Sequence, residues 1–285
     1  MYKYILVPAT GSRSDASVFD TALLAAKLFD AHLEFLHVRA DVRELVISMT
    51  ARGMAGAPPQ GLVDQLEAEG TQLEVQARRI VEDFCSRCLV PLMKTPSRKR
   101  VSAEFTVEIG SWEKLIPAYG SFADVVVIGR PQPERNVSVL EVALMNTGRP
   151  LLVAPPTPPK TLLGTVVIAW KNTFEAVHAV VSALPLLERA EQVEILTIVE
   201  EDDPREPNLD RVLHSLCCHN PNTHVHQIAN EQHKPVDMLL QQAERMQASL
   251  IVMGGYSHSR LREVLFGGFT QRILSGVGIP VLMAH

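Results

Sequence analysis

Ala123-Asp124-Val125-Val126-Val127-Ile128-Gly129 returns 125 positions later as Ala248-Ser249-Leu250-Ile251-Val252-Met253-Gly254. Each is a short apolar run that ends in glycine and reads as a buried strand. Further along each copy, Arg149-Pro150-Leu151-Leu152-Val153-Ala154 is echoed by Ile279-Pro280-Val281-Leu282-Met283-Ala284. Upstream, the runs Tyr4 to Val7 and Val166 to Ala169 each precede a polar turn and a helical pattern, as buried first strands do. The chain therefore reads as a tandem duplication. Pro155, Pro156, Pro158 and Pro159 favour a stiff, extended connection, which puts the first domain at 1–155, the linker at 156–160 and the second domain at 161–285.

In each copy short strands alternate with helical patterns, the signature of an α/β parallel sheet covered on both faces. The first copy predicts strands near 3–8, 32–38, 101–108, 124–128 and 150–154, with helices over 14–30, 62–90, 111–121 and 137–147. The second predicts strands near 164–169, 192–199, 223–229, 249–253 and 280–284, with helices over 173–188, 208–217, 235–247 and 268–276. Ligands of open α/β sheets sit beyond the carboxyl ends of the strands where the strand order reverses, so the segments after strands one and four matter most.

Composition narrows the function classes. The 285 residues are 46% hydrophobic and 21% charged, with a net charge of -5, which gives no electrostatic case for nucleic acid as the partner. No apolar run approaches the ~20 residues that span a bilayer, and the first residues read as a strand, so a cytoplasmic protein without a membrane partner is expected. Four cysteines, Cys85, Cys88, Cys217 and Cys218, are too few and too clustered for a disulfide framework.

The fourth strand of the second copy runs into Gly254-Gly255-Tyr256-Ser257-His258-Ser259-Arg260, then Gly267-Gly268-Phe269-Thr270 at the expected start of a helix. Glycines let backbone N–H groups converge, and a helix N-terminus adds unpaired donors and about half a positive charge, which suits a phosphate chain. Ser257, Ser259 and Thr270 add hydroxyls and Arg260 a cation. A glycine-rich turn that merely reverses the chain accounts for the glycines equally well.

The spacing of this loop resembles the Gly-x-x-Gly, nine residues, Gly-Ser/Thr motif of the universal stress protein family, and the flanking strands match as well. Ser259-Arg260-Leu261-Arg262-Glu263 followed by Gly267-Gly268 is a recurrent variant of it. The resemblance covers nearly the whole chain. It implies two tandem five-stranded domains of the adenine nucleotide α-hydrolase-like, Rossmann-like type, packed as an intramolecular pseudo-dimer through their last strands, and it allows a homodimer. It further implies a stress-response regulator that binds ATP or another adenine nucleotide in the second domain, allows Mg²⁺ beside it, and signals to an unidentified protein partner. On that reading Gly254, Gly255, Gly267, Gly268 and Thr270 hold phosphates with help from Ser257, His258, Ser259, Arg260 and Phe269. Met253 lies near the ribose, Val199 offers backbone contacts to adenine, and Ala169 and Trp170 border the site.

Two departures mark the second domain. Ser257 stands in place of the motif's second glycine and Gly268 in place of its Ser/Thr; a left-handed serine costs about 1 kcal/mol. Lys171 follows the first strand where the family's binding domains have an Asp, and lysine donates hydrogen bonds but accepts none. The first copy diverges further: its loop is five residues shorter, Pro131 and Pro133 remove two N–H donors, and Thr10 holds the Asp position. No ATP is expected there; completing the pseudo-dimer is.

Other groupings have plainer readings. His214, Cys217, Cys218, His219, His224 and His226 offer zinc-type ligands, but their order matches no finger spacing, and a helix end, a turn and a strand with His224 and His226 on one face explain them. Cys85 and Cys88 read as a buried helix face, Lys94 to Arg100 as a solvated basic loop, and residues 39–61 as a long connection that serves as a lid or partner loop or stays disordered. No general base or water-orienting carboxylate marks the glycine loop, so any ATP hydrolysis is expected to be slow and the protein not an enzyme. Two alternatives stand beside the nucleotide reading. One is a non-binding scaffold with both sites degenerate. The other is an adenylating enzyme, which lacks its Ser-Gly-Gly-x-Asp-Ser/Thr loop here.

Overall fold

A computed structural model of the chain describes residues 1–12, 14–51, 60–130, 137–199, 209–229, 234–255, 272–273 and 278–285. In the first half the strands are β1 (Tyr4–Pro8), β2 (His32–Ala40), β3 (Ser102–Gly110), β4 (Val125–Gly129) and β5 (Leu151–Ala154). Between them run α1 (Asp15–Phe29), α2 (Val42–Ala51), α3 (Gln60–Cys88), α4 (Trp112–Gly120) and α5 (Val137–Asn146). The second half has β6 (Thr165–Ala169), α6 (Phe174–Leu187), β7 (Gln192–Val199), α7 (Leu209–Cys217), β8 (Thr223–Ala229), α8 (Pro235–Arg245), β9 (Leu250–Gly254) and β10 (Val281–Ala284). Residues 268–271 and 274–276 of the helix expected over 268–276 lie outside the described residues.

All ten strands form one sheet in the order β3-β2-β1-β4-β5-β10-β9-β6-β7-β8. Each half is parallel internally and repeats the same order of its five strands, reversing between its first and fourth. The halves meet where β5 and β10 pair antiparallel, with Val281 opposite Val153, Leu282 opposite Leu152 and Met283 opposite Leu151. This is the pseudo-dimer implied by the resemblance.

The apolar runs are continuous because both faces of the sheet are covered. In β1, Ile5 and Val7 join a core beneath α1, α3, α6 and α7, while Leu6 joins the opposite core beneath α4, α5 and α8. Both cores contain residues from both halves. Phe19, Phe35 and Phe84 tie α1, β2 and α3 together, with ring centroids 4.6, 5.4 and 5.9 Å apart. Tyr2 Oη donates to Ser182 O across the halves at 2.5 Å, and the guanidinium of Arg189 lies 4.6 Å from the centroid of Phe29.

The connection over 39–61 departs from its expectation, because α2 occupies much of it. Val42, Leu45, Val46 and Met49 have the spacing of one helix face, a pattern that the neighbouring Met, Gly and Pro residues obscure. Residues 52–59 lie outside the described residues. The 29-residue α3 buries only Ala77, Val81, Phe84 and Cys85, so its N-terminal part extends beyond the sheet. Burial there pushes the Cys85 thiol up to about 12, as an inert core cysteine requires.

The His/Cys grouping is divided by the sheet. Leu209 and Leu216 of α7 share a core with Val225, whereas His224 and His226 reach Glu194 on the other face, at 3.5 and 2.5 Å. No group of three or more His, Cys, Asp or Glu that could hold a metal ion occurs among the described residues.

Truncating the seam should be costly. Leu152 is 1% exposed, and Leu152→Ala is expected to lower stability by about 2–5 kcal/mol, read as a fall in the urea midpoint at unchanged slope.

Candidate functional site

The carboxyl ends of β6 and β9 lie side by side, with Ala169 opposite Met253. The helical connections leave toward opposite edges at this point, which opens a crevice beyond the strand ends. The structure thus brings together five of the expected site residues: Ala169 and Trp170 at the end of β6, and Met253, Gly254 and Gly255 at the end of β9. Val199 closes β7, one strand further out. Lys171 follows Trp170 and is exposed. Ser257, His258, Ser259, Arg260, Gly267, Gly268, Phe269 and Thr270 lie outside the described residues.

The two glycines at the end of β9 have packing roles that the sequence does not announce. A Cβ on Gly254 would stand 2.6 Å from the backbone N of Ala176, so this glycine lets the strand end abut the first turn of α6. That turn is capped by Thr173, whose hydroxyl accepts from Ala176 N at 3.3 Å. A Cβ on Gly255 would meet Leu144 of the first half at 2.7 Å, and the Gly255 N–H donates to Ala284 O at 2.8 Å. Two buried polar atoms, Trp170 Nε1 and Thr197 Oγ1, have no hydrogen-bond partner among the described residues. Trp170 N donates to Leu196 O, so both belong to the same corner of the sheet, where β6 and β7 end.

The equivalent corner of the first half is built differently. A cavity of about 480 Å³ opens beyond the ends of β1, β2 and β4. Thr10, Ser12, Ser14 and Asp15 form its wall where the chain enters α1. Asp15, 2% exposed, accepts from Thr10 Oγ1 at 2.7 Å, the Gly11 N–H at 2.8 Å and Ser12 Oγ at 3.3 Å. Gly11 has φ +79°, and a Cβ there would lie 3.2 Å from Leu73 O, so glycine permits both the turn and the close approach of α3. Arg130, directly after β4, donates from Nη2 to Ile279 O of the second half at 2.8 Å, and burial lowers its guanidinium to about 10. Sequence reasoning passed over Asp15, although its place at a helix start, five residues after Thr10, is the pattern of a side chain that captures loop donors.

The Universal stress protein family model matches residues 169–285. The second half thus matches the universal stress protein family. In fold, nearly the whole chain is similar to a universal stress protein from Archaeoglobus fulgidus DSM 4304, at 15% identity and TM-score 0.71, over 99% of this chain and 97% of that one. It is also similar to a functionally unknown protein from Pseudomonas aeruginosa PAO1, at 13% identity and TM-score 0.53, over 99% of this chain and 92% of that one. No curated protein matches the sequence. The β6–β9 crevice therefore lies in the half that the family model matches, and the Asp15 cavity is at the equivalent corner of the other half. No helix among the described residues is long and apolar enough to cross a membrane.

Two measurements test this account of the strand ends. Gly254→Ala should cost about 1–3 kcal/mol in urea unfolding because backbone blocks the new Cβ, whereas Gly278→Ala, with open space around it, should stay within about 0.5 kcal/mol of the parent. Burial raises the Asp15 carboxyl above its ordinary range, against the lowering effect of its hydrogen bonds from Thr10, Gly11 and Ser12. The folded state thus holds the proton more tightly than the unfolded chain, so the Asp15 charge opposes folding at neutral pH and this cost is relieved as pH falls through the raised value. Stability relative to Asp15→Asn should rise as the pH is lowered from about 7 toward about 4, and a difference that stays flat or runs the other way would contradict the burial effect.

Proposed function

We propose that this protein is an adenine-nucleotide-responsive regulator of the stress response, with one nucleotide site in its second domain. On this reading the chain comprises a domain at 1–155, a linker at 156–160 and a second domain at 161–285. The observation that carries it is the crevice between β6 and β9, which lies in the half that matches the family. Ala169, Trp170 and Met253 border the base and ribose, with Val199 further along the wall. Because the Gly255 N–H already serves the sheet, the phosphate donors come from the loop beyond it: Ser257, His258, Ser259, Arg260, Gly267, Gly268, Phe269 and Thr270. Trp170 Nε1 and Thr197 Oγ1 are donors without acceptors among the described residues at this corner, which supports a ligand rich in acceptors.

On this reading the role is binding rather than turnover. Mg²⁺ accompanies the nucleotide through phosphate oxygens. Occupancy would be relayed to a protein partner through the shared sheet or through pairing of two chains. The four free thiols suit the reducing cytoplasm. A second reading, a scaffold that binds no nucleotide, draws on Lys171 at the Asp position.

Calorimetric titration of the full chain with ATP, ADP and AMP decides between them. Saturable heat is expected for at least one nucleotide, with affinity falling roughly tenfold or more in Gly267→Asp, where a carboxylate enters the phosphate loop. Absence of heat for all three at millimolar concentration establishes the scaffold instead.

A further inference from the structure

The first-half cavity has the position of a nucleotide site but not its chemistry. The donors that a phosphate needs at the β1–α1 turn are already engaged, because the Gly11 N–H and the Thr10 and Ser12 hydroxyls converge on the Asp15 carboxylate. This internal anion sits at the first turn of α1, where a bound phosphate would otherwise complement the helix. Both guanidiniums on the cavity wall are also engaged outward: Arg39 faces Glu74 at 3.4 Å, and Arg130 donates to Ile279 O. Among the described residues, a second anion entering here would meet buried negative charge, with Arg39 and Arg130 already engaged.

Apart from His37 and Glu69, the rest of the lining is mainly apolar. Val18, Ile128 and Leu140 form the inner wall, and Trp112 of α4 with Leu66 and Leu73 of α3 form the outer one. The close passage of α3 over Gly11 brings these leucines into place, although the N-terminal part of that helix buries nothing in the core. Leu73 is 47% exposed, an apolar side chain left at the mouth of an apolar chamber. At the polar end the hydroxyls of Ser12 and Ser14 lie 2.6 Å apart and form a short chain that can both donate and accept. Asp15 itself is too enclosed to take a salt bridge from a ligand.

We propose that this cavity is a second ligand site, specific for a compact, mainly apolar, uncharged molecule with one neutral hydrogen-bonding group, and closed to phosphates. The ligand packs its apolar body against Trp112, Leu66 and Leu73 and its polar group against Ser12 and Ser14. The two halves then sense different chemistry from equivalent corners of one sheet. This site does not depend on nucleotide binding in the second half.

The test uses the full-length protein and Nile red, a neutral apolar dye whose emission rises in an apolar site. Saturable emission at one site per chain is expected, displaced by 1-naphthol but roughly tenfold or more weakly by 1-naphthyl phosphate, the same ring system with the charge added. Leu66→Trp and Leu73→Trp, which line the chamber and lie outside the buried core of α3, should each weaken dye binding roughly tenfold or more by filling the chamber while leaving the urea midpoint unchanged. Phe122→Ser removes a phenyl that is 81% exposed and lies away from this cavity, and should leave dye binding as it is. Equal displacement by the naphthol and its phosphate would overturn the proposal. So would dye binding that persists in both tryptophan variants or is lost in Phe122→Ser.

Discussion

The antiparallel pairing of β5 with β10 is the constraint on which the rest of this molecule depends. Leu151-Leu152-Val153-Ala154 and Val281-Leu282-Met283-Ala284 are fully buried, apolar and short. Left unpaired, each would be an exposed hydrophobic sheet edge, the feature most prone to recruit another chain. Joined, they turn two five-stranded sheets into one and extend both cores across the seam. The glycines follow from this arrangement: Gly255 is bare because Leu144 of the other half reaches over the seam to it, and Arg130 turns toward Ile279 because that carbonyl is close at hand.

A shared scaffold makes the differences between the halves interpretable. Ala9 and Trp170 each follow the first strand and donate to the second strand at Leu36 O and Leu196 O, both at 2.8 Å. The next strand residue is His37 in one half, where Nδ1 lies 2.7 Å from Ala9 O, and Thr197 in the other, where the hydroxyl finds no partner among the described residues. At the helix start, one half closes its loop on Asp15 and the other caps α6 with Thr173. At this corner the first half closes its loop donors on Asp15 and its His37 on Ala9 O, whereas in the second Trp170 Nε1 and Thr197 Oγ1 find no partner among the described residues. That difference between the two corners is what the proposals of a polyanion in the second half and an uncharged molecule in the first draw on.

Much of the fold was legible because its signals are local and repeated. Valine- and isoleucine-rich runs ending in glycine, recurring in the same order, mark both the strands and the duplication, and a parallel sheet follows from the intervening helical patterns. What escaped depends on contacts distant in sequence. The packing roles of Gly254 and Gly255 are set by Ala176 and Leu144, neighbours in space alone, so a phosphate reading of these glycines was the natural one. The enclosure of the first-half cavity was hidden for a related reason. Leu66 and Leu73 look like ordinary helix residues until the turn at Gly11 shows how closely α3 passes. Pro131 and Pro133 remove two N–H donors from the first-half loop, but a sequence that disfavours one ligand chemistry does not reveal another.

The most telling residue pair carries no signal in the hydrophobic pattern. Glu34 and Glu194 hold the same register position in the two halves, opposite Leu6 and Val167, and both are buried on the same face of the sheet. Tyr4 of β1 donates to Glu34 at 2.8 Å, and each carboxylate is also met from the outermost strand, Glu34 by Thr106 at 3.0 Å and Glu194 by His226 at 2.5 Å. A slip of one residue in β3 or β8 would turn these partners to the opposite face and leave a buried carboxylate without them. Apolar β-branched strands pair almost equally well in several registers, so a carboxylate that accepts only one arrangement of neighbours selects among them. The crevices at the carboxyl ends inherit that choice, because their geometry is fixed by where each strand stops.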